Sequence, residues 1–369
     1  MTRFSETIKI GGRGAGKDAV FVGKGAPVAI QTMWKDKLTA GDIEGESGRS
    51  LIDRIERLSH MGCGLLRFAT PDLEAAQVLG RLAEMVSMPL VADIHFDYRI
   101  ALQCLDFPIA KIRINPGNIG KKANIEKVLE KAGAKGVPIR IGVNAGSLPQ
   151  DLRCKVDAGA VDCVEALVQA AERELTVFKE FRFFNVVVSV KASGVADTIK
   201  ANRLLKQRTD IPLHVGVTEA GPLVAGTVRN AAALFTLLSE DIGDTVRVSL
   251  SDTVENEVIA AREIINAIAK VRGLKPLGVT ITSCPRCGRA GFDTHSFTQR
   301  WLTRLYAEHK TVTIAIMGCV VNGPGEARHA DLGITGAGDK VVLFRRGKIV
   351  KTVAVSDADA AFAEELEKL

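Results

Sequence analysis

A (β/α)8 TIM barrel over residues 1–270 followed by a smaller α/β domain over residues 271–369 is the architecture this sequence predicts. Three observations carry it. Eight short β-branched runs recur through the first two thirds of the chain, segments with helical spacing fall between or after them, and the rhythm changes after Val271.

In order, the runs are PVAIQTM (27–33), GLLRFAT (64–70), LVADIHF (90–96), IAKIRINPG (109–117), PIRIGVNAG (138–146), NVVVSVKAS (185–193), LHVGVTEAG (213–221) and TVRVSLSD (245–252). Amphipathic patterns such as SLIDRIERLSHMG, LEAAQVLGRLAEMV and NIEKVLEKAGAKG, and one around 258–271, supply the helices. Eight strand–helix units over about 250 residues are what a closed parallel barrel needs. A doubly wound open sheet is the competing architecture, and eight strands suit it less.

Ahead of the barrel, residues 11–18 read GGRGAGKD and satisfy the start of a phosphate-binding loop, G-x-x-x-x-G-K. Asp18 stands where Ser or Thr should hold magnesium, and AVFVG after it reads as a strand rather than a helix. A glycine-rich hairpin is the preferred reading. Beyond Val271, GVTIT (278–282) runs into CPRCGR and TVTIAIMG (311–318) into CVVNGPGEA. Residues 341–355 then read as a hairpin turning at Arg346-Gly347, and a final amphipathic helix spans about 356–368.

Composition narrows the function classes. With 46% hydrophobic and 25% charged residues the chain suits a globular protein with a large core. The start, MTRFSETIKI, lacks the apolar run of a secretory signal, and no stretch approaches the roughly 20 apolar residues of a membrane span, so a cytoplasmic protein is expected. Aromatics are only 5% and no Lys/Arg cluster is interleaved with them, which argues against nucleic-acid binding. Of the net +6, most sits in residues 270–369, with fifteen Lys and Arg against ten Asp and Glu, a face able to steer an acidic partner. Four of the seven cysteines (Cys63, Cys104, Cys154, Cys163) fall in the barrel, where reduced core thiols are expected rather than a disulfide framework.

The other three carry chemistry. Cys284-Pro285-Arg286-Cys287 alone also describes a redox dithiol. Cys319, likewise just beyond an apolar strand, would bring a third thiolate to the same point. Three soft donors suit zinc or an iron-sulfur cluster. No histidine sits at zinc-ribbon spacing, whereas Glu326, seven residues after Cys319 on a glycine-rich loop, offers a hard, exchangeable fourth ligand that would leave one iron open to substrate. The residues favour the cluster and leave zinc and the dithiol open.

The barrel runs end in polar groups: Arg67, Asp93, His95, Arg113, Asn115, Arg140, Asn144, Lys191, His214, Glu219, Arg247 and Ser249. Strand C-terminal ends converge on one mouth in this fold. Guanidinium groups grip phosphate oxygens in pairs, so the excess of arginine points to a phosphorylated substrate. Glu219 and the Asp93/His95 pair are the candidates for proton transfer.

Together ADIHF, KIRINPGN, IRIGVNAGSL, SVKAS, HVGVTEAG, SCPRCGR and MGCVVNGPGEA closely resemble the bacterial 4-hydroxy-3-methylbut-2-enyl diphosphate synthases of the non-mevalonate isoprenoid pathway, in order along nearly the whole chain. The resemblance implies a barrel plus a [4Fe-4S] domain that reductively opens 2-C-methyl-D-erythritol 2,4-cyclodiphosphate and removes a hydroxyl group. It implies Cys284, Cys287, Cys319 and Glu326 as cluster ligands, and Arg67, Arg113, Arg140 and Lys191 as holders of the diphosphate. Glu219 would stand near the reacting carbons and Asn322 beside the cluster. It further implies a head-to-tail homodimer with a shared active site, and electrons from reduced ferredoxin or flavodoxin. Two stretches depart from the pattern: residues 31–36 read QTMWKD in place of QSMTNT, and residues 191–194 read KASG in place of KASD. The rival from another class is a non-catalytic phosphosugar-binding barrel with a structural zinc domain.

Overall fold

The computed structural model describes residues 4–12, 18–115, 117, 119–285, 287–319, 325 and 327–369, with residue 147 described by its backbone alone. The chain divides into two compact units, Met1–Ile268 and Ala269–Leu369.

The first unit opens with a hairpin, β1 (Thr7–Gly11) and β2 (Ala19–Gly23), paired antiparallel. A strand after the glycine-rich stretch, instead of a helix, removes the dipole that a phosphate loop relies on. Ile8, Ile10 and Val22 pack on Leu65, Val91, Ala110 and Val187, so the hairpin covers the apolar floor of the barrel.

Eight parallel strands follow: β3 (Ala29–Met33), β4 (Cys63–Ala69), β5 (Leu90–Asp93), β6 (Lys111–Ile114), β7 (Ile139–Asn144), β8 (Val186–Lys191), β9 (His214–Val215) and β10 (Thr245–Val246). Sheet order runs β8-β7-β6-β5-β4-β3-β10-β9, and a parallel bridge between Val188 and Leu213 closes the ring from β8 towards β9. All eight expected runs become strands, and the closure excludes the open sheet.

Around them lie α1 (Gly45–His60), α2 (Leu73–Met85), α3 (Tyr98–Cys104), α4 (Lys122–Lys135), α5 (Gln150–Asp157), α6 (Cys163–Glu180), α7 (Val195–Arg208), α8 (Leu223–Ser239) and α9 (Val254–Val271). Each strand-to-helix turn needs a stop for the strand and a start for the helix. Asp72, Asp97 and Asp162 provide starts at α2, α3 and α6 by accepting the N–H groups of Ala75, Arg99 and Val164. Such caps contribute about 1 kcal/mol apiece. No helix among the described residues is long and apolar enough to cross a membrane.

The second unit is a five-stranded sheet in the order β11 (Thr280–Ser283), β12 (Thr313–Met317), β13 (Leu332–Ala337), β14 (Lys340–Arg345), β15 (Lys348–Ala354). The first three strands are parallel and the last two antiparallel. The expected hairpin turns at Arg346 and Gly347, both at positive φ (47° and 77°), as a tight primed turn requires. Its core sets Phe297 and Trp301 of α10 (Thr294–Ala307) against Phe362 of α11 (Ala358–Glu367), with ring centroids 4.8–5.8 Å apart. Strand β13 and helix α10 are additions to the sequence reading.

All seven cysteines are free. Burial pushes the Cys63 and Cys104 thiols up to about 12, as inert core thiols. For the other two barrel cysteines the core expectation is corrected: Cys154 is exposed on α5, and Cys163 is half-buried at the first turn of α6.

Candidate active site

Side chains two residues apart on a strand share a face, and this periodicity builds the barrel interior. Above the apolar floor, β6 turns inward Lys111 and Arg113, β7 Arg140 and Gly142, and β8 Ser189 and Lys191. The parallel register sets Asp93 beside Arg113 and Arg113 beside Arg140. Arg67, Lys111, Arg113, Arg140 and Lys191 are all buried to 7% exposure or less.

Counter-charge is scarce. Asp93 lies 3.5 Å from Arg67 Nε and accepts from Arg113 Nη1 at 3.1 Å. That same nitrogen lies 2.9 Å from His95 Nε2. Burial would raise the Asp93 carboxyl, but Arg67, His95, Arg113 and Arg140 outweigh it and hold it far below the usual range. Arg140 donates to Ser189 Oγ at 3.0 Å and pairs with no carboxylate among the described residues. Gly142 makes room for this crowding, since a Cβ there would sit 2.6 Å from Arg113 Nε.

The cost falls on the cations. Burial, offset in part by Asp93, pushes Arg67 down to about 10. Arg140 and Lys191 are pushed well below their ordinary values by burial and then by neighbouring positive charge. Lys111, which the sequence reading passed over, is shifted the same way and donates to Gln31 Oε1 at 2.9 Å. The Nε atoms of Arg67, Arg113 and Arg140 are buried without a hydrogen-bond partner. Buried guanidinium groups whose Nε donors lack a hydrogen-bond partner make a site complementary to an anion.

His214, on β9, is a neighbour of Lys191. It is fully buried, with Nδ1 2.8 Å from Thr245 Oγ1 and Nε2 3.1 Å from Lys191 Nζ. Burial and the Lys191 charge push its pKa well down, so the neutral ring accepts from the lysine and orients it.

A second carboxylate escaped the sequence reading. Glu257 on α9 accepts from Thr32 Oγ1 at 2.6 Å, from Arg247 Nη2 at 3.2 Å and from the Leu250 N–H at 3.0 Å, and it is ion-paired to Lys35. Burial is outweighed by these donors, Arg247 first, and its pKa is lowered. Two residues of the divergent stretch 31–36, Thr32 and Lys35, thus meet on this acid.

A carboxyl lowered in the folded state stabilises at neutral pH, and that contribution is lost as pH falls through the folded pKa. Glu257→Gln is therefore expected to cost about 3–5 kcal/mol at pH 7 and to lose less than the wild type on acidification. Thermal melts from neutral to acid pH check this, and a variant melting like wild type at pH 7 contradicts it.

Of the remaining sequence candidates, Asn115 is buried after β6, Asn144 is half-buried at the end of β7, and Ser249 is half-buried after β10. Glu219 is exposed, with φ 52°, a left-handed backbone that a glutamate adopts only at a cost.

In the second unit, β11 and β12 are parallel neighbours, with Ser283 paired to Ile316. Cys284 and Cys319 therefore leave the same end of the sheet. The Gly318 N–H donates to Cys284 Sγ at 3.1 Å, and the Cys287 thiol is lowered by the Arg289 backbone N–H. Such N–H···S bonds favour thiolates, so the donor set fits a thiophilic metal group. Among the described residues no three His, Cys, Asp or Glu side chains converge as metal ligands. Glu326 and Asn322 lie outside the described residues.

The model of the GcpE TIM-barrel domain matches residues 15–262, and that of the GcpE protein C-terminal domain matches residues 280–368. A curated protein of Treponema pallidum (strain Nichols), named 4-hydroxy-3-methylbut-2-en-1-yl diphosphate synthase (flavodoxin), is 51% identical over 95% of this chain and 89% of its own length. One of Treponema denticola with the same name is 46% identical over 100% of this chain and 99% of its own. One of Thermodesulfovibrio yellowstonii, again so named, is 41% identical over 95% and 96%.

Proposed function

The chain belongs to the GcpE family, and on that premise we propose that it converts 2-C-methyl-D-erythritol 2,4-cyclodiphosphate to 4-hydroxy-3-methylbut-2-enyl diphosphate. The conversion is a reductive ring opening and dehydroxylation in isoprenoid biosynthesis, with electrons from reduced flavodoxin or ferredoxin. The observation that carries the reading is the buried cation cluster of Arg67, Lys111, Arg113, Arg140 and Lys191, in which Asp93 is the carboxylate paired with Arg67 and Arg113.

In the reaction the C2–O bond to phosphate breaks, the C3 hydroxyl leaves with a proton as water, and two electrons complete the C2=C3 double bond. The barrel's part is to hold the diphosphate. Arg113 and Arg140 offer paired N–H donors, Lys191 a point charge aimed by His214, and Arg67 a third guanidinium steadied by Asp93. A diphosphate entering this site gains contacts that no solvent-exposed arginine would give, because desolvation has already been met in folding. Glu219, in the run that follows β9, would move the proton at the leaving hydroxyl.

Cys284, Cys287, Cys319 and Glu326 would hold a [4Fe-4S] cluster, with Asn322 beside it. When bound, that group supplies electrons singly and an iron with affinity for oxygen. The cationic excess of the C-terminal unit suits an acidic donor such as flavodoxin. A head-to-tail homodimer in the cytoplasm, each cluster domain serving the partner's barrel, completes the reading.

Anaerobically purified protein is expected to be brown, with iron and acid-labile sulfide at about four each per chain, and to turn over the cyclic diphosphate with dithionite and a viologen. A colourless protein holding one zinc, which binds the compound without forming product, would establish the phosphosugar-binding barrel in its place.

A further inference from the structure

One half-buried acid near the mouth takes no part in the cation cluster. Glu174 lies on α6 within the apolar stripe that includes Leu167, Ala171 and Phe178, a face that helical periodicity turns towards the core. Its carboxyl borders a cavity of about 260 Å3 that Asn115, Gly117, Val143, Leu148 and Gln150 also line. The Gly117 N–H donates to it. The place a Cβ would occupy on Gly117 is 3.3 Å from Glu174 Oε1 and 3.5 Å from Asn115 Oδ1, so acid and amide flank the same glycine. Asn115 and Gly117 belong to the loop leaving β6, the strand that carries Lys111 and Arg113.

Among the described residues, no other charged residue lines the cavity. Charged groups on the neighbouring elements are engaged elsewhere: Arg173 of α6 with Asp151 of α5, Arg153 of α5 with the Gly146 carbonyl, Lys122 of α4 with Glu180 of α6, and Arg113 of β6 with Asp93. Burial pushes the Glu174 carboxyl up to about 7 against the pull of the Gly117 N–H. An apolar side chain would fill this stripe without that cost, and a costly ionisable group beside a functional loop points to a task.

We propose that Glu174 is a positioning residue which, by accepting the Gly117 N–H, fixes Gly117 and with it the Asn115 amide at the rim of the diphosphate site. The inference rests on the cyclic diphosphate being the substrate. A carboxylate accepts more strongly than a carboxylic acid, so the anchor tightens as the group ionises near neutral pH, and the Michaelis constant falls from pH 6 to pH 8.

Wild type, Glu174→Gln and Glu174→Leu decide it. The glutamine keeps an acceptor and cannot titrate, so its KM is flat over that pH range with kcat near wild type. The leucine loses the acceptor, and its KM rises about tenfold at unchanged kcat. Hydrogen–deuterium exchange over residues 111–120, read without substrate, is expected to quicken about tenfold in Glu174→Leu and to match wild type in Glu174→Gln. A pH inflection that persists in the glutamine variant, or wild-type KM and exchange in the leucine variant, overturns the proposal. If wild type itself gives no product, the functional reading fails, and the exchange arm still decides what Glu174 does.

Discussion

Replacing Cys319 with serine is expected to leave both units folded while abolishing a stable cluster and all turnover. The thiolate is a soft donor matched to iron-sulfur chemistry, and a hydroxyl at the same place is neither soft nor ionised at neutral pH. The fold has little stake in it. The second unit is held by Phe297, Trp301, Phe362 and the strands behind them, and Cys319 follows the end of β12. Circular dichroism should therefore be unchanged, while the brown absorbance and the iron content are lost. Glu326→Gln is expected to act differently, keeping iron and weakening turnover more than folding, because on the proposed reading the carboxylate would be the exchangeable ligand. Equal and complete unfolding of both variants would contradict an open site.

Replacing Arg140 with methionine is expected to move stability and activity in opposite directions. This guanidinium is buried at 2% exposure, with an unpartnered Nε and Ser189 as its hydrogen-bond partner. Arg67 and Arg113 add repulsion to the cost of its burial. A thioether of similar length removes the charge and keeps the volume, and exchanges of this kind stabilise by about 1–4 kcal/mol. Thermal melting of the substrate-free protein should rise. If Arg140 grips the cyclic diphosphate as proposed, the same change would remove two charge-assisted hydrogen bonds, each about 1.5–3 kcal/mol. Loss of kcat/KM by at least about a hundredfold follows. A variant that melts lower and keeps its activity would show that Arg140 serves the barrel and not the substrate.

The barrel was legible because its strands are β-branched runs whose buried positions need no tertiary partner to be recognised. Strand β13 was not, for a reason found only in three dimensions. Its sequence, LGITGA, is glycine-rich because the Phe344 ring lies over Gly333, where a Cβ would come within 2.1 Å of it. At the mouth, arginines at strand ends announced themselves. Lys111 did not, although its place two residues before Arg113 put it on the same inward face. Glu174 carried a comparable signal, an acid inside an apolar helical stripe. Glu257 carried none, since VENEV reads as a solvated first turn, and its burial is a product of the side chains that reach it, Thr32 from β3, Lys35 from beyond its end and Arg247 from just after β10. The same contacts show how the divergent residues after β3 remain compatible with the site: Lys35 is held by Glu257 and the Leu250 carbonyl.

The claim on which the rest depends is that the buried cations are a diphosphate receptor, and a crystal structure of the anaerobic protein with the cyclic diphosphate tests it most directly. Phosphate oxygens should lie within hydrogen-bond distance of Arg113, Arg140 and Lys191, with the unsatisfied Nε atoms among the donors. A diphosphate seated elsewhere, with these cations still turned to Asp93, Ser189 and His214 alone, would contradict the account.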